Sequence, residues 1–165
     1  EIQVMSLTDS APALLRSFDF NLGVPVDPLA HAAAMADGRL VFVGASSYSQ
    51  QPYVSNGTTA GTVLLANLGA TGSHPRAFVS TGTQVRFATN SRKLYITNGT
   101  AGNATFIANT FGASSVGTPQ STLAGGSVYF LAEGVDTVDS LIRLMRVDVS
   151  GGSATMASTA AWDGL

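Results

Sequence analysis

Apolar residues in this chain alternate with polar or small ones in short runs, and Gly, Asn, Ser or Pro closes almost every run. Gln84-Val85-Arg86-Phe87-Ala88 is an example, and Leu40-Val41-Phe42-Val43 and Ser127-Val128-Tyr129-Phe130-Leu131 hold the matching places as more continuously apolar runs. A period of two puts successive side chains on opposite faces of an extended strand, and Val, Ile, Thr, Tyr and Phe favour that state. The pattern predicts strands over Ile2 to Leu7, Ala13 to Phe20, Arg39 to Gly44, Pro52 to Ser55, Thr62 to Leu68, Ala77 to Ser80 and Gln84 to Ala88. It continues with Lys93 to Thr97, Ala104 to Thr110, Gln120 to Leu123, Ser127 to Ala132, Ile142 to Val149 and Ala154 to Ser158. Only Pro28 to Asp37, with Ala32-Ala33-Ala34-Met35, has helical propensity; it is short and the repeat frame predicts a strand there, so the segment is ambiguous between the two.

The runs repeat. Tyr53-Val54-Ser55-Asn56-Gly57-Thr58 returns as Tyr95-Ile96-Thr97-Asn98-Gly99-Thr100, and Val63 to Asn67 aligns with Thr105 to Asn109 at the same offset of about 42 residues. A Gly/Ser/Thr-rich stretch with a proline follows each copy, and then the alternating strand. Fainter copies at the two ends give about three and a half repeats, windowed at 1–48, 49–90, 91–138 and a partial 139–165. A single all-β domain, or a fragment of a larger one, follows. Its architecture is an array of propeller-like repeats, with a β-sandwich as the alternative. Asn56-Gly57 and Asn98-Gly99 are expected at tight turns, where Asn and Gly tolerate left-handed backbone angles.

Pro52 to Leu65 and Lys93 to Gly102, each followed by a Gly/Ser-Pro segment and an alternating strand, resemble the ELWxxDGTxxGT repeats of bacterial surface and secreted proteins. The resemblance covers residues 51 to 132 and implies four-stranded antiparallel blades packed radially. Here Gln51-Pro52-Tyr53 or Lys93-Leu94-Tyr95 stands for Glu-Leu-Trp, and Asn-Gly-Thr for Asp-Gly-Thr. The Asp's role in the turn then depends on Asn making the same local hydrogen bonds. No single activity comes with these repeats.

Composition narrows the partners. The chain is 45% hydrophobic, enough to bury a core, yet only 11% charged, well below the usual quarter. So weakly charged a surface suits a chain covered by neighbours, glycans or the rest of an assembly. A net charge of −2 and scattered arginines leave no basic stripe, which argues against nucleic acid. No cysteine is present, so disulfides and thiolate metal sites are excluded. No apolar run approaches the roughly 20 residues of a membrane-spanning helix. The chain opens on Glu1, which suggests a processed product or a piece of something longer, exported to the cell surface or secreted.

Candidate chemistry is sparse. Asn56, Asn98 and Asn103 each open an Asn-X-Ser/Thr sequon at an expected turn, and would make a glycoprotein if modified; repeated turn chemistry accounts for the motif equally simply. Glu133, Asp136 and Asp139 cluster in one loop as a weak calcium candidate, without the spacing of a helix-loop-helix site; a solvated loop is the plainer reading. Asp19 and Asp27 flank another loop, with nothing to set the separation a glycosidase needs. His31 and His74 fall about one repeat apart and lack a third metal ligand or a nucleophile. Tyr53, Tyr95, Phe42, Phe87, Phe130, Phe106 and Phe18 are expected in the core between blades. Trp162 is either an anchor for a partner or a cover for the last blade.

The sequence therefore predicts no catalytic residue, cofactor or resident metal, and not an enzyme. The leading expectation is a secreted or cell-surface structural, adhesive or binding module within a larger assembly of protein chains. The alternatives are a filament or multi-chain subunit completed by strand addition, and a sugar-binding or sugar-hydrolysing propeller with carbohydrate as its partner.

Overall fold

The computed structural model describes residues 2–4, 13–16, 31–46, 49–69, 74–89, 91, 93–109, 121–133, 142–148 and 155–156. They form fourteen strands. β1 (Ile2–Val4) and β2 (Ala13–Arg16) pair with each other. The rest make three four-stranded antiparallel sheets in simple chain order. Sheet 1 holds β3 (Ala32–Ala34), β4 (Leu40–Ser46), β5 (Ser49–Ser55) and β6 (Val63–Leu64). Sheet 2 holds β7 (Arg76–Ser80), β8 (Val85–Ala88), β9 (Lys93–Thr97) and β10 (Ala104–Asn109). Sheet 3 holds β11 (Ser121–Ala124), β12 (Ser127–Glu133), β13 (Ile142–Asp148) and β14 (Thr155–Met156).

This is the propeller-like all-β architecture, and successive sheets stacked through both faces exclude a two-sheet sandwich. Each sheet joins the alternating strand of one sequence window to the Tyr-to-Asn-Gly-Thr half of the next. The Asn-Gly-Thr segment thus leads from the third strand to the fourth. β7, the first strand of sheet 2, lies against both β3 and β11, so the first strands sit innermost.

Alternation explains how one sheet serves two interfaces. In sheet 2, Phe78, Val85, Phe87 and Tyr95 face sheet 1, where Met35, Val41, Val54 and Leu65 meet them. Val79 and Leu94 project the other way, onto Val128, Met145 and Val147 of sheet 3. Phe87 stacks on Phe78 at 5.2 Å and on Tyr95 at 5.5 Å. Sheet 1 repeats the second pair as Phe42 on Tyr53, at 6.1 Å, on its far face. Burying an aromatic or aliphatic side chain of this kind contributes roughly 1.5–3 kcal/mol, so these interfaces dominate the stability of the array.

The structure settles one ambiguous segment and corrects the expected elements at three places. Ala32–Ala34 is a strand, paired Ala32 to Phe42, Ala33 to Val41 and Ala34 to Leu40; the sheet's pairing overrides alanine's helical preference. The strand expected over Thr62 to Leu68 shortens to Val63–Leu64. Leu65 N–H donates to the Pro52 carbonyl at 2.9 Å, so the polar edge of Pro52 faces β6, yet proline has no N–H to return. Leu94, one period later, carries that N–H, and β10 continues pairing as far as Asn109 opposite Lys93. Phe106 is 48% exposed rather than in the core, because β10 is the outermost strand. The Asn-Gly segments are longer connections, 56–62 and 98–103, with Gly57 at φ 84° and Gly99 at φ 75°. Neither Asn56 nor Asn98 is left-handed. Phe18 lies outside the described residues, as does the side chain of Phe130.

Candidate functional site

The topology sorts the candidate residues to opposite ends of the sheets. At one end stand the hairpins through Gly38, Gly82 and Gly125-Gly126, together with both Asn-Gly-Thr connections. This end is continuous from sheet to sheet. Ala36 N–H donates to the Gly82 carbonyl at 2.8 Å, joining the hairpins of sheets 1 and 2. Arg86, near the start of β8, donates to the Asp148 carbonyl at 3.0 Å, where β13 ends opposite Ser127.

Each Asn-Gly-Thr connection is built by its own side chains. Asn56 Oδ1 accepts from Thr58 N–H at 3.1 Å, and Asn98 Oδ1 from Thr100 N–H at 3.0 Å. One residue earlier, Ser55 Oγ accepts from Gly57 N–H at 3.1 Å and Thr97 Oγ1 from Gly99 N–H at 3.0 Å. These are local side-chain turns, available to Asn as to Asp because only a carbonyl-type oxygen is used. Asn56, Asn98 and Asn103 are all exposed.

The two connections differ in their surroundings. Arg39 of sheet 1 reaches the second, donating from Nη1 to the Gly99 carbonyl at 2.6 Å and from Nη2 to the Asn98 carbonyl at 2.9 Å. Asp37 orients the guanidinium through an Nε bond of 2.8 Å and an ion pair of 2.6 Å. Those bonds to Arg39 hold the Asp37 carboxyl below the usual aspartate range. Gly102 N–H donates to the Leu65 carbonyl at 2.7 Å, and Gly99 is buried, with Met35 Sδ and Arg39 Nη1 each 2.7 Å from where a Cβ would stand. Around Gly57 the same position is open. Instead the first connection folds on itself: Thr58 Oγ1 donates to Asn56 Oδ1 at 2.7 Å and accepts from Gly61 N–H at 3.0 Å, while Ser55 and Thr62 hydroxyls bond at 2.8 Å.

The opposite end receives the histidines. His31 stands directly before β3 and His74 two residues before β7, at the same end of the sheets though not at the same register position. His74 Nδ1 lies 2.9 Å from Gln50 Oε1, an acceptor, so Nδ1 carries the hydrogen. Burial, with a smaller contribution from the Arg76 charge, pushes the His74 pKa below the ordinary histidine value. Gln51 laces this end, accepting from Leu68 N–H at 2.8 Å and donating to the Gly69 carbonyl at 2.7 Å. Glu133 closes β12 here, opposite Ile142. Asp136, Asp139, Asp19, Asp27 and Trp162 lie outside the described residues. Among the described residues, no group of three or more His, Asp or Glu is placed to hold a metal ion. No helix among them is long and apolar enough to cross a membrane.

Arg39, Gln51 and Arg86 are the side chains that sequence reasoning passed over. Arg86 is 1% exposed between sheets 2 and 3, and that burial lowers its guanidinium pKa. The signal was its place between Val85 and Phe87, which aims it across the sheet from both. Arg39 follows Asp37-Gly38 at the spacing of a hairpin ion pair, but its further acceptors, the Asn98 and Gly99 carbonyls, lie 59 and 60 residues downstream in the next sheet.

No known protein family and no curated protein matches the chain by sequence. Its fold is similar to that of puromycin hydrolase, with a TM-score of 0.55 at 13% identity, over 82% of this chain and 21% of that one. A point mutant of the same hydrolase complexed with PGG gives a TM-score of 0.54 at 15% identity, with the same coverage. The chain therefore spans about a fifth of a propeller-containing protein and resembles that part of it in fold.

Proposed function

We propose that this chain is a non-catalytic structural and binding module, secreted or displayed at the cell surface, whose blades work within a larger assembly of protein chains. The observation that carries the reading is the outer rim. Leu64 on β6 and Phe106 on β10 stand one period apart on the outermost strands of adjacent sheets, 37% and 48% exposed. Large apolar residues at repeat-equivalent rim positions suit a partner that spans two blades. The low charge of the chain supports the same reading.

The kinship with ELWxxDGTxxGT repeats is part of this proposal. Its support is the turn itself, since Asn56 and Asn98 accept the local bond that the repeats' Asp would accept. A runner-up is completion by strand addition, favoured at β10, a six-residue edge strand with an exposed phenylalanine. Sheet 1 is less suited, because β6 has two residues. Hydrolysis belongs to the structurally similar enzyme and is no part of this reading.

Light scattering with intact mass measurement on the purified chain tests the proposal. The expected result is a particle larger than one chain, reduced to a monomer by Leu64→Ser with Phe106→Ser. A wild-type monomer that captures no other chain contradicts it.

A further inference from the structure

We propose that Asn56 is a site of spontaneous deamidation, and that Asn98, the same residue one period later, is shielded from it by sheet 1. In this reaction the Gly57 amide nitrogen loses its proton to solvent base and bonds to Asn56 Cγ. The Nδ2 group takes up a proton and leaves as ammonia, so the product is a five-membered imide. Water then opens either imide carbonyl to give aspartate or isoaspartate. No oxidant, metal or enzyme is needed. Glycine as the successor removes the Cβ that would hinder closure.

Local geometry favours the step at Asn56. Its Oδ1 accepts from both Thr58 N–H, at 3.1 Å, and Thr58 Oγ1, at 2.7 Å. These donors point at the oxygen on which negative charge develops as nitrogen attacks, the arrangement that stabilises an acyl-transfer transition state. Nothing stands within 4 Å of where a Gly57 Cβ would be, so no neighbouring sheet opposes rotation on that side, and the contact the Asn56 side chain does make there is with Gly61 of its own connection.

At Asn98 the rotation is opposed. Closing the ring turns the bond between Asn98 Cα and its carbonyl carbon, which swings the Asn98 oxygen and the Gly99 unit. Arg39 holds the oxygens of both residues, at 2.9 Å and 2.6 Å, and Met35 with Arg39 fills the space beside Gly99. Asn98 and Asn56 are both exposed, but the attacking amide differs: Gly57 is exposed and Gly99 is buried, so the cover from sheet 1 acts both by shielding the Gly99 nitrogen and through the Arg39 clamp. The hydroxyl bonds to Gly57 and Gly99 N–H are matched in the two turns and do not separate them.

The test is incubation of the folded chain at mildly alkaline pH, with peptide mass mapping and isoaspartate detection. Asn56 should convert first and Asn98 about tenfold more slowly or less, a ratio that a small added barrier produces. In denaturant the two should convert at similar rates, since both are Asn-Gly-Thr. Equal native rates, or Asn98 reacting first, overturn the proposal. Arg39→Ala should bring Asn98 towards the Asn56 rate. Should that variant not fold, Thr58→Val carries the test: it removes one donor from Asn56 Oδ1 and should slow Asn56 severalfold, and an unchanged rate counts against the assignment.

Discussion

The connections 56–62 and 98–103 begin with the same three residues and close with the same pair of local hydrogen bonds, yet they occupy different worlds. The first is held by its own threonines and opens to solvent. The second is overlaid by Arg39, Met35 and the Leu65 carbonyl of the preceding sheet. The difference teaches what a repeat can and cannot specify. Local turn chemistry travels with the motif, whereas cover comes from the neighbouring blade and depends on place in the array. Sheet 1 gives sheet 2 a clamp that the motif itself does not contain.

The largest expected effect comes from placing a methyl at each turn glycine. Gly57→Ala meets open space and should cost about 1–2 kcal/mol, the penalty of a left-handed residue bearing a Cβ. Gly99→Ala adds collision with Met35 and Arg39, and should cost about 2–4 kcal/mol in denaturant unfolding. Equal losses would erase the distinction between the turns.

Removing the clamp comes next. Arg39→Ala should cost about 2–3 kcal/mol, since the Asn98 and Gly99 carbonyls lose a charged donor. Arg39→Lys should restore little of it, because a single ammonium cannot reproduce the fork. A fully stable lysine variant would show that the clamp is only a charge.

The same pair predicts a pH dependence confined to acid. Its folded pKa depressed by Arg39, Asp37 favours the folded state most above the ordinary value of 3.8, and that contribution is lost as pH falls through the depressed value. Stability measured from pH 5 downwards should therefore fall less steeply in Arg39→Ala than in the wild type. Parallel curves would contradict the pairing. Exposure of the pair keeps this effect small.

The smallest effect concerns the outer strands. Pro52→Leu supplies the N–H that Leu94 already offers in sheet 2, and should let β6 gain pairing for a change within about 1 kcal/mol. Added amide protection beyond Leu65 is the expected sign. Large destabilisation would show that Pro52 has a packing role instead.

Strand identity was legible in the sequence because alternation and turn residues are local. The repeat made Phe42 with Tyr53 and Phe87 with Tyr95 readable as equivalent pairs, and both are stacked. The same logic misplaced Phe106, because equivalence fixes a position in the sheet and not what lies beyond the outermost strand. Ala32–Ala34 was ambiguous because three alanines carry no alternation of their own, and only pairing with β4 decides their state. Arg39 was invisible as a clamp because its acceptors lie about sixty residues downstream, on backbone carbonyls that any sequence could provide. The shortening of β6 was readable in principle from Pro52 against Leu94, one missing donor at an equivalent place. Of the candidate site residues, the sequons and histidines could be placed at opposite ends of the sheets. The acids at 136 and 139 and Trp162 fall outside the described residues.

The packing of one blade over the next is tested most directly by amide hydrogen exchange at Gly102 and at its repeat-equivalent, Ala60. Gly102 N–H spans the two sheets to the Leu65 carbonyl, so it should be protected to the level of amides within β9. Ala60, in the open connection, should exchange quickly. Gly102 exchanging as fast as Ala60 in the folded chain would mean that sheet 1 does not cover the second turn, and the account of blades clamped in sequence would fail.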